Sequence, residues 1–364
     1  MERKGPLRVA VIGATGHIGT YLVPQLVTDG HEVIAITRNR RVPYVSHPAY
    51  DEVELITADR EAEDRAGSFG KRLKGLAAEA IIDLICYELA SAAQVVEALR
   101  GSETLLIHCG TIWVHGPATT VPMTEDAPRR PMEPYGVAKA EIERPLLEES
   151  SRGAVRAVVL HPGHITGPGW RPVNPAGNLS LDVFSKLAKG ERLCLPNLGL
   201  ETVHHVHAED VALAFALALA RPEVAVGRAF HVVSANALTL RGYAEEVARW
   251  FGREAVLSFM PFEDWSKTVS DDEAATTWSH ISHSPSASID RARRLLGYEP
   301  RYSSLEAIHQ ALEWLTVEGE VDVAGAALSP LGGAPAGGIQ STPDGERAAH
   351  SERETHFSAG PQAQ

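Results

Sequence analysis

The sequence has few cysteines and no long apolar run. Three of its 364 residues are cysteines, and their spacing matches neither a metal-binding motif nor an even set of disulfide partners. A reduced, cytoplasmic environment is therefore the simpler expectation. No stretch reaches the roughly 18 apolar residues of a membrane-spanning helix. Residues 1–7 also leave no room for the apolar segment of a signal peptide.

Positive charge is scarce as well. The 34 lysines and arginines are outnumbered by 47 aspartates and glutamates, and the formal net charge is −13. We therefore expect no nucleic-acid partner, because binding to a phosphate backbone depends on clustered basic residues. Hydrophobic residues make up 44% of the chain and charged residues 22%, which is typical of a globular protein.

Apolar strands alternate with helical patterns in the first half of the chain. The predicted strands lie at 7–13, 31–38, 53–59, 80–86 and 104–111. This order predicts an α/β fold with a doubly wound parallel sheet. We expect that sheet domain at residues 1–160 and a smaller substrate-binding lobe at 161–317, with some return to the first domain. Residues 318–364, rich in Ala, Gly, Ser and Pro, are predicted to be a disordered tail.

A glycine-rich loop follows the first predicted strand and opens a helix. Glycines permit a tight turn and close approach of a dinucleotide pyrophosphate, which the helix N-terminus stabilises. The spacing is GxxGxxG, and a purely structural turn is the alternative interpretation. The predicted cofactor-binding residues of this loop are Gly13, Thr15, Gly16, His17, Ile18 and Gly19.

The end of the second predicted strand bears on the choice of cofactor. An acid there would bind the ribose 2′-hydroxyl of NAD, whereas an arginine accommodates the 2′-phosphate of NADP. The sequence places Arg38 there, within a basic loop that continues through Arg40 and Arg41. The sequence therefore favours NADP, and NAD stays an alternative. The other interpretation is that this basic loop is simply solvated. Asp59 ends the third strand, where it could bind the adenine or cap a helix.

Tyr135 and Lys139 stand four residues apart at the start of a predicted helix, so they share one face. A nearby ammonium group favours the phenolate form of a tyrosine and would lower its pKa from about 10. Lys139 could also hold the nicotinamide ribose. Thr111 ends the fifth predicted strand, at the sheet edge where such folds bind ligands, and its hydroxyl could polarise the reacting oxygen.

Together these motifs resemble the extended short-chain dehydrogenase/reductase family, in particular its NAD-dependent epimerase/dehydratase group. The resemblance covers residues 7–316 and rests on GATGHIG (13–19), GTIWVHG (110–116), PYGVAK (134–139), VVLHPGHITGPG (158–169) and HVHAEDVA (205–212). It implies a Rossmann domain, bound NAD(P) and hydride transfer at a sugar carbinol. It also implies that Tyr135 is the general acid/base, with Thr111 and Lys139 as its catalytic partners.

Departures from the family pattern narrow the expected function. Ile112 and Trp113 stand where family dehydratases carry an acid and a base, so dehydration is disfavoured. Glu201 stands where nucleotide-sugar epimerases carry an arginine that binds the diphosphate, so a standard nucleotide-sugar substrate is in doubt. The residues predicted to contact substrate are His115, His161, His164, Asn178 and Glu201.

The sixteen histidines raise the question of a metal site. His204, His205 and His207 cluster in sequence, but on a strand His204 points away from the other two. No carboxylate or cysteine accompanies them at a metal-ligand spacing. The sequence therefore predicts no bound metal.

The leading functional hypothesis is an NAD(P)-dependent epimerase acting on a sugar or sugar-like carbinol through a transient keto intermediate. An NADPH-dependent ketoreductase is the first alternative. A catalytically idle Rossmann module for redox sensing or RNA binding is the second, disfavoured by the complete Thr–Tyr–Lys set and the acidic charge. The expected partner is a small molecule, and a homodimer and a monomer both stay open.

Overall fold

The computed structural model describes residues 5–38, 43–323 and 325–331. Its strands are β1 (Arg8–Ile12), β2 (Glu32–Thr37), β3 (Glu54–Thr57), β4 (Ala80–Asp83), β5 (Leu105–Cys109), β6 (Arg156–Pro162), β7 (His164–Thr166), β8 (Arg192–Pro196), β9 (Thr202–Val203), β10 (His205–His207), β11 (Ala229–Val232), β12 (Leu238–Thr239) and β13 (Val256–Met260).

The α-helices are α1 (His17–Thr28), α2 (Arg60–Arg65), α3 (Phe69–Gly75), α4 (Leu89–Leu99), α5 (Pro134–Ser151), α6 (Asp182–Lys189), α7 (Ala208–Ala220), α8 (Pro222–Ala225), α9 (Leu240–Trp250), α10 (Phe262–Trp265), α11 (Asp271–His283), α12 (Asp290–Leu296) and α13 (Ser304–Val317). Within the described ranges no helix combines the length and the apolarity needed to cross a membrane.

Seven strands form one parallel sheet in the order β11-β6-β5-β4-β1-β2-β3. The chain runs outward from β1 through β2 to β3, and then returns to the other side of β1 to continue with β4. Open α/β sheets bind ligands in the crevice at the carboxyl ends of the strands where this reversal occurs. The predicted α/β, doubly wound fold is confirmed.

The sheet is covered on both faces, which is why its strands are apolar runs rather than alternating ones. Val9 and Val11 belong to a core shared with α1 and α7. Ala10 and Ile12 point to the opposite face and belong to a core shared with α3, α4 and α5. The period of two along β1 therefore divides its side chains between two helical layers.

A third core lies in the C-terminal half of the chain. It gathers Phe184 of α6, Leu195 of β8, Tyr243 of α9 and Leu312 of α13, all fully buried. The small sheets β8–β13, β9–β12 and β7–β10 belong to this half of the chain. The division at residues 160 and 161 stays a prediction.

The structure differs from the prediction of a disordered tail that begins at residue 318. Val321 is buried and Leu328 packs against the third core. Ser329 donates a backbone hydrogen bond to the Trp250 carbonyl at 2.8 Å, and its own carbonyl pairs with His309 Nε2 at 2.8 Å. Composition missed this because a few apolar side chains suffice to hold an irregular segment on an existing core. Residues 332–364 of the predicted tail lie outside the described residues.

Candidate active site

The glycine loop connects β1 to α1 with the geometry that a pyrophosphate requires. Gly13 has a φ of +88°, a conformation that favours glycine. A Cβ at position 19 would overlap the Ala14 carbonyl oxygen. Tyr50 Oη braces the loop, its one proton shared between the carbonyls of Ala14 at 2.9 Å and Gly19 at 3.0 Å. The residues present therefore fit a dinucleotide phosphate.

The other predicted loop residues lie at the same helix terminus. Thr15, His17 and Ile18 are buried, and His17 is the first residue of α1. The ring of His17 stacks on Trp170, with 5.0 Å between the ring centroids. The segment that follows β7 therefore packs over the start of α1, a contact that the sequence did not predict.

The two predicted adenosine contacts lie at the ends of β2 and β3. Arg38 is exposed, and its closest charged partner is Glu61, at 3.8 Å between Nη1 and Oε1. Asp59 caps α2, because its side chain accepts a hydrogen bond from the Ala62 amide at 3.1 Å. The structure therefore shows the helix-cap alternative for Asp59, and its adenine contact stays a prediction. Arg40 and Arg41 lie outside the described residues.

Thr111 and Tyr135 are brought together as predicted. Thr111 is buried at the end of β5 and caps the 3₁₀ turn Ile112–His115, its hydroxyl accepting from the Trp113 amide at 3.3 Å. Its side chain is hydrogen-bonded to the Tyr135 phenol. Burial raises the pKa of Tyr135 well above its ordinary value, and the bond to Thr111 offsets this only in part. The predicted lowering of this pKa, by Lys139 together with an oxidised nicotinamide, concerns the cofactor-bound site and stays a prediction.

Lys139 is buried against the carboxyl ends of β4 and β5. Its Nζ donates hydrogen bonds to the carbonyls of Cys86 and Cys109, both at 2.8 Å. Nζ lies 4.6 Å from the Tyr87 ring centroid and 5.9 Å from that of Tyr135. Burial lowers the pKa of Lys139. The ammonium is therefore anchored at the crevice by main-chain carbonyls rather than paired with an acid.

Trp113 forms the centre of an aromatic cluster beside Tyr135. Its ring centroid lies 6.2 Å from that of Tyr135, 6.1 Å from His164 and 5.3 Å from His280, and it stacks on His283 at 4.5 Å. Sequence reasoning named His164 but missed the two histidines of α11. Their positions, 280 and 283, place them on one face of a helix, and that spacing was the available signal.

Several ring nitrogens of this cluster are buried without a hydrogen-bond partner among the described residues. They are both nitrogens of His164, Nε2 of His283 and Nδ1 of the neighbouring His205. Burial, reinforced by the neighbouring histidines, holds the pKa of His164 well below its ordinary value, so its imidazole is neutral. Neutral imidazoles can donate to and accept from hydroxyl groups.

His115 and His161, also predicted to contact substrate, lie in a different buried cluster. His161 Nε2 is 2.6 Å from Glu143 Oε2, and His115 Nε2 is 2.9 Å from Nε2 of His231. The alternation along β6 and β7 decides this, because His161 contacts α5 whereas His164 contacts Trp113. The assignment of His115 and His161 as substrate contacts stays a prediction. Their contacts with His231 and Glu143 do not favour it.

Asn178 and Glu201 are engaged within the C-terminal half. Asn178 is buried, donates to Thr277 Oγ1 at 3.1 Å and accepts from the Ser180 amide at 3.0 Å. Glu201 Oε1 accepts from Asn197 Nδ2 at 2.5 Å, whereas its Oε2 is buried without a partner among the described residues. Glu201 thus retains an acceptor for a ligand, whereas Asn178 links its own loop to α11.

The sequence cluster at residues 204–207 does not converge in space. His204 uses both ring nitrogens, one with the Ser234 carbonyl at 3.0 Å and one with the Ala287 amide at 3.1 Å. His207 caps α7 by accepting from the Glu209 amide at 3.0 Å. Asp210, in the first turn of α7, accepts hydrogen bonds from two amides of a distant loop.

Comparison with known proteins gives a family. The model of the NAD dependent epimerase/dehydratase family matches residues 9–232. The chain is 26% identical over 269 residues to 2′-dehydrokanamycin reductase of Streptomyces kanamyceticus, covering 73% of each chain. It is 25% identical over 349 residues to UDP-glucose 4-epimerase of Azospirillum brasilense, covering 88% of this chain and 95% of the relative.

A solved structure of similar fold is UDP-glucose 4-epimerase from Thermotoga maritima, determined with UDP-glucose. Its TM-score is 0.65 at 17% sequence identity, and the match covers 86% of this chain and 99% of that one. At this identity the likeness supports the fold alone.

Proposed function

This chain belongs to the NAD dependent epimerase/dehydratase family, and we propose that it is an NAD(P)-dependent epimerase acting on a sugar or sugar-like carbinol. The observation that carries the proposal is the hydrogen bond between the Tyr135 phenol and Thr111. Tyr135 lies on α5, the helix that also presents Lys139. These three residues supply the acid/base, the oxygen contact and the cation that hydride exchange at a carbinol needs.

The cofactor would lie across the carboxyl ends of β1 and β4. The glycine loop would hold its pyrophosphate, Arg38 an NADP 2′-phosphate, and Lys139 the nicotinamide ribose. The nicotinamide, when bound, supplies the acceptor and donor of the hydride. Lys139 retains a third N–H for this contact, because its two observed hydrogen bonds go to the carbonyls of Cys86 and Cys109.

Tyr135 would exchange one proton with the reacting oxygen. As the phenolate it takes that proton when the carbinol becomes a carbonyl, and as the phenol it returns the proton when the carbinol forms again. Thr111 would donate a hydrogen bond from its hydroxyl to the same oxygen and stabilise the charge that develops there. Trp113 and Ile112 are buried beside the site and carry no group to remove water from the substrate, which supports epimerisation over dehydration.

The neutral histidines around Trp113 support a substrate whose recognised part carries hydroxyls. His164, with its lowered pKa, would contribute hydrogen bonds without a charge. Glu201 Oε2 would accept a further hydrogen bond from a hydroxyl and would repel a diphosphate. We therefore propose a sugar or natural-product carbinol without a diphosphate at this position.

A net ketoreductase is the second candidate. One observation favours it: the relative named 2′-dehydrokanamycin reductase. The two candidates share every residue of the site and differ only in whether the hydride returns to the same substrate.

The deciding experiment follows cofactor and product together. The purified chain is incubated with NAD, NADP or their reduced forms and with a panel of free sugars, aminoglycoside-type ketones and UDP- or dTDP-sugars. Reduced-cofactor absorbance and product NMR are recorded in the same samples. Epimer formation without net cofactor consumption supports the first candidate, and one cofactor oxidised per ketone reduced supports the second.

The same assay can overturn the proposal. Turnover that persists in Tyr135→Phe would exclude the mechanism. Turnover of UDP- or dTDP-sugars alone would exclude the proposed substrate class but leave the mechanism intact.

A further inference from the structure

Three histidines from distant parts of the sequence converge behind the active-site loop. His115 ends the 3₁₀ turn after β5, His161 lies on β6 and His231 on β11. His161 and His231 are directly paired across the two parallel strands. All three are at most 3% exposed, and one ring nitrogen of each lies within 4.8 Å of those of the other two.

The remote nitrogen of each ring faces an oxygen that can only accept a hydrogen bond. His115 Nδ1 lies 3.1 Å from the Ala127 carbonyl, and His231 Nδ1 lies 3.3 Å from the Ser288 carbonyl. His161 Nε2 lies 2.6 Å from the carboxylate of Glu143. In a neutral ring each remote nitrogen therefore carries the proton, which leaves the unshared electron pair on Nε2 of His115, on Nε2 of His231 and on Nδ1 of His161.

This tautomer assignment leaves an electrostatic conflict at the centre. His115 Nε2 and His231 Nε2 are only 2.9 Å apart, so two unshared pairs would face each other. His161 Nδ1 is buried and has no hydrogen-bond partner among the described residues. A cation bound between the three nitrogens removes the repulsion and provides the missing partner at once.

We propose that His115, His161 and His231 bind a divalent transition-metal ion, most naturally Zn²⁺. Imidazole nitrogens are preferred zinc ligands, at about 2.0–2.1 Å from the metal. A ligating histidine that donates its other N–H to a carboxylate or carbonyl is the usual outer arrangement of such sites, and all three rings have it. A fourth position is left for water.

The surroundings allow entry and hold the ligands in place. His115 also lines a surface pocket with Pro117, Thr119 and Pro122, which offers a route for the ion. Glu143 is fixed by Arg129, whose Nη2 lies 2.6 Å from Oε1. The sequence predicts no bound metal, and this proposal departs from that expectation. It does so at three histidines that are too far apart in the sequence for their spacing to associate them.

The competing explanation is a metal-free histidine pair. In that pair His231 carries its proton on Nε2 and donates a hydrogen bond to His115. That tautomer would turn the unshared pair of His231 Nδ1 toward the Ser288 carbonyl. The 3.3 Å contact is the longest of the three remote ones, so this is where such a change would cost least. It leaves His161 Nδ1 unpaired, which the metal site does not.

The test uses the full chain, purified without an affinity tag that binds metal. Zinc content is measured by mass spectrometry, and the chain is then stripped with a chelator and titrated with Zn²⁺ against a chromophoric competitor. We expect about one zinc per chain, and a visible Co²⁺ spectrum of nitrogen-ligated, four-coordinate type. A wild-type chain that stays folded, retains no zinc and takes up none would overturn the proposal.

Variants assign the ligands. His115→Gln and His231→Gln should each abolish stoichiometric zinc uptake, and Glu143→Gln should weaken it by about 10–100-fold, the usual effect of losing an outer partner. His309→Gln replaces a buried histidine outside the cluster and should bind zinc like the wild type. Equal zinc binding by all four variants would exclude these ligands. If a ligand variant does not fold, the wild-type Co²⁺ spectrum and a zinc-dependent rise in Tm decide.

Discussion

Glu143 Oε2 accepts a hydrogen bond from His161 Nε2 at 2.6 Å, and this pair joins the helix of Tyr135 and Lys139 to the end of β6. Tyr135, Lys139 and Glu143 are spaced four residues apart, so all three project from one face of α5. The pair therefore fixes the rotation of α5 relative to the sheet. The proposed metal, where present, would reinforce the same connection.

Tyr135→Phe should reduce turnover by about 10²–10⁴-fold, because it removes the proton-transfer group and keeps the ring. Cofactor binding should remain, since the phenol takes no part in holding the dinucleotide. Tyr298→Phe is a matched control, as Tyr298 is a buried phenol that donates to the Val233 carbonyl at 3.1 Å. Steady-state rates and cofactor titration by fluorescence check this. Near-full activity in Tyr135→Phe would show that another group is the acid.

Lys139→Met should lower cofactor affinity, turnover and Tm together. The variant leaves the carbonyls of Cys86 and Cys109 without their donor, at a cost of about 1–3 kcal/mol for each buried unpaired group. Lys186→Met is the control, because Lys186 is a surface residue paired with Asp182. If Lys139→Met has a lower Tm but an unchanged cofactor affinity, the role of Lys139 is structural only.

Arg38→Asp should shift the preference from NADP toward NAD. A unit charge about 4 Å from another is worth roughly 1–4 kcal/mol, depending on the dielectric, so the affinity ratio should change roughly tenfold or more. Arg65→Asp makes the same charge change at an exposed position of α2 and should leave the ratio unchanged. Calorimetric titration with both cofactors measures it. An unaltered ratio in Arg38→Asp would mean that this arginine is merely solvated.

The Asp210 carboxyl should make the chain less stable as pH rises from 4 to 7. Burial raises its pKa from 3.8 to about 6, so the folded state binds this proton more tightly than the unfolded state does. The contribution of Asp210 to the free energy of unfolding is therefore fully present below pH 4 and is lost as the pH rises through 6. The loss amounts to about 3 kcal/mol for a shift of roughly two pKa units.

Asp210→Asn should remove this dependence of the free energy of unfolding on pH, whatever the stability of the variant at pH 7. Urea unfolding of both proteins between pH 4 and pH 7 measures the difference. Asp290→Asn, at an exposed helix start, is the control. Parallel stability curves for wild type and Asp210→Asn would contradict the raised pKa.

Deletion of residues 318–364 should lower the Tm. Deletion of residues 332–364 should instead keep every contact described for residues 318–331. The longer deletion exposes the core around Val321, and complete burial of a valine is worth about 1.5–3 kcal/mol. It also removes the hydrogen bond from Ser329 to Trp250. Calorimetry of the two truncations compares them, and equal melting temperatures would contradict the packing of residues 318–331.

Much of this molecule follows from local sequence. The apolar runs define the strands, the GxxGxxG spacing defines the cofactor loop, and a spacing of four places Tyr135 and Lys139 on one helix face. These features depend on residues near each other in the chain, where the periods of strand and helix apply directly.

Tertiary structure alone decided the rest. His115, His161 and His231 are separated by 46 and 70 residues, and only the pairing of β6 with β11 and the turn after β5 brings them together. The same holds for Trp113 with α11, and for Val321 on its core. Which way a buried histidine faces depends on the acceptor that its neighbours provide, and that acceptor belongs to another part of the chain. Sequence spacing carries no information about such a partner, because chain distance and spatial distance become independent once the sheet has formed.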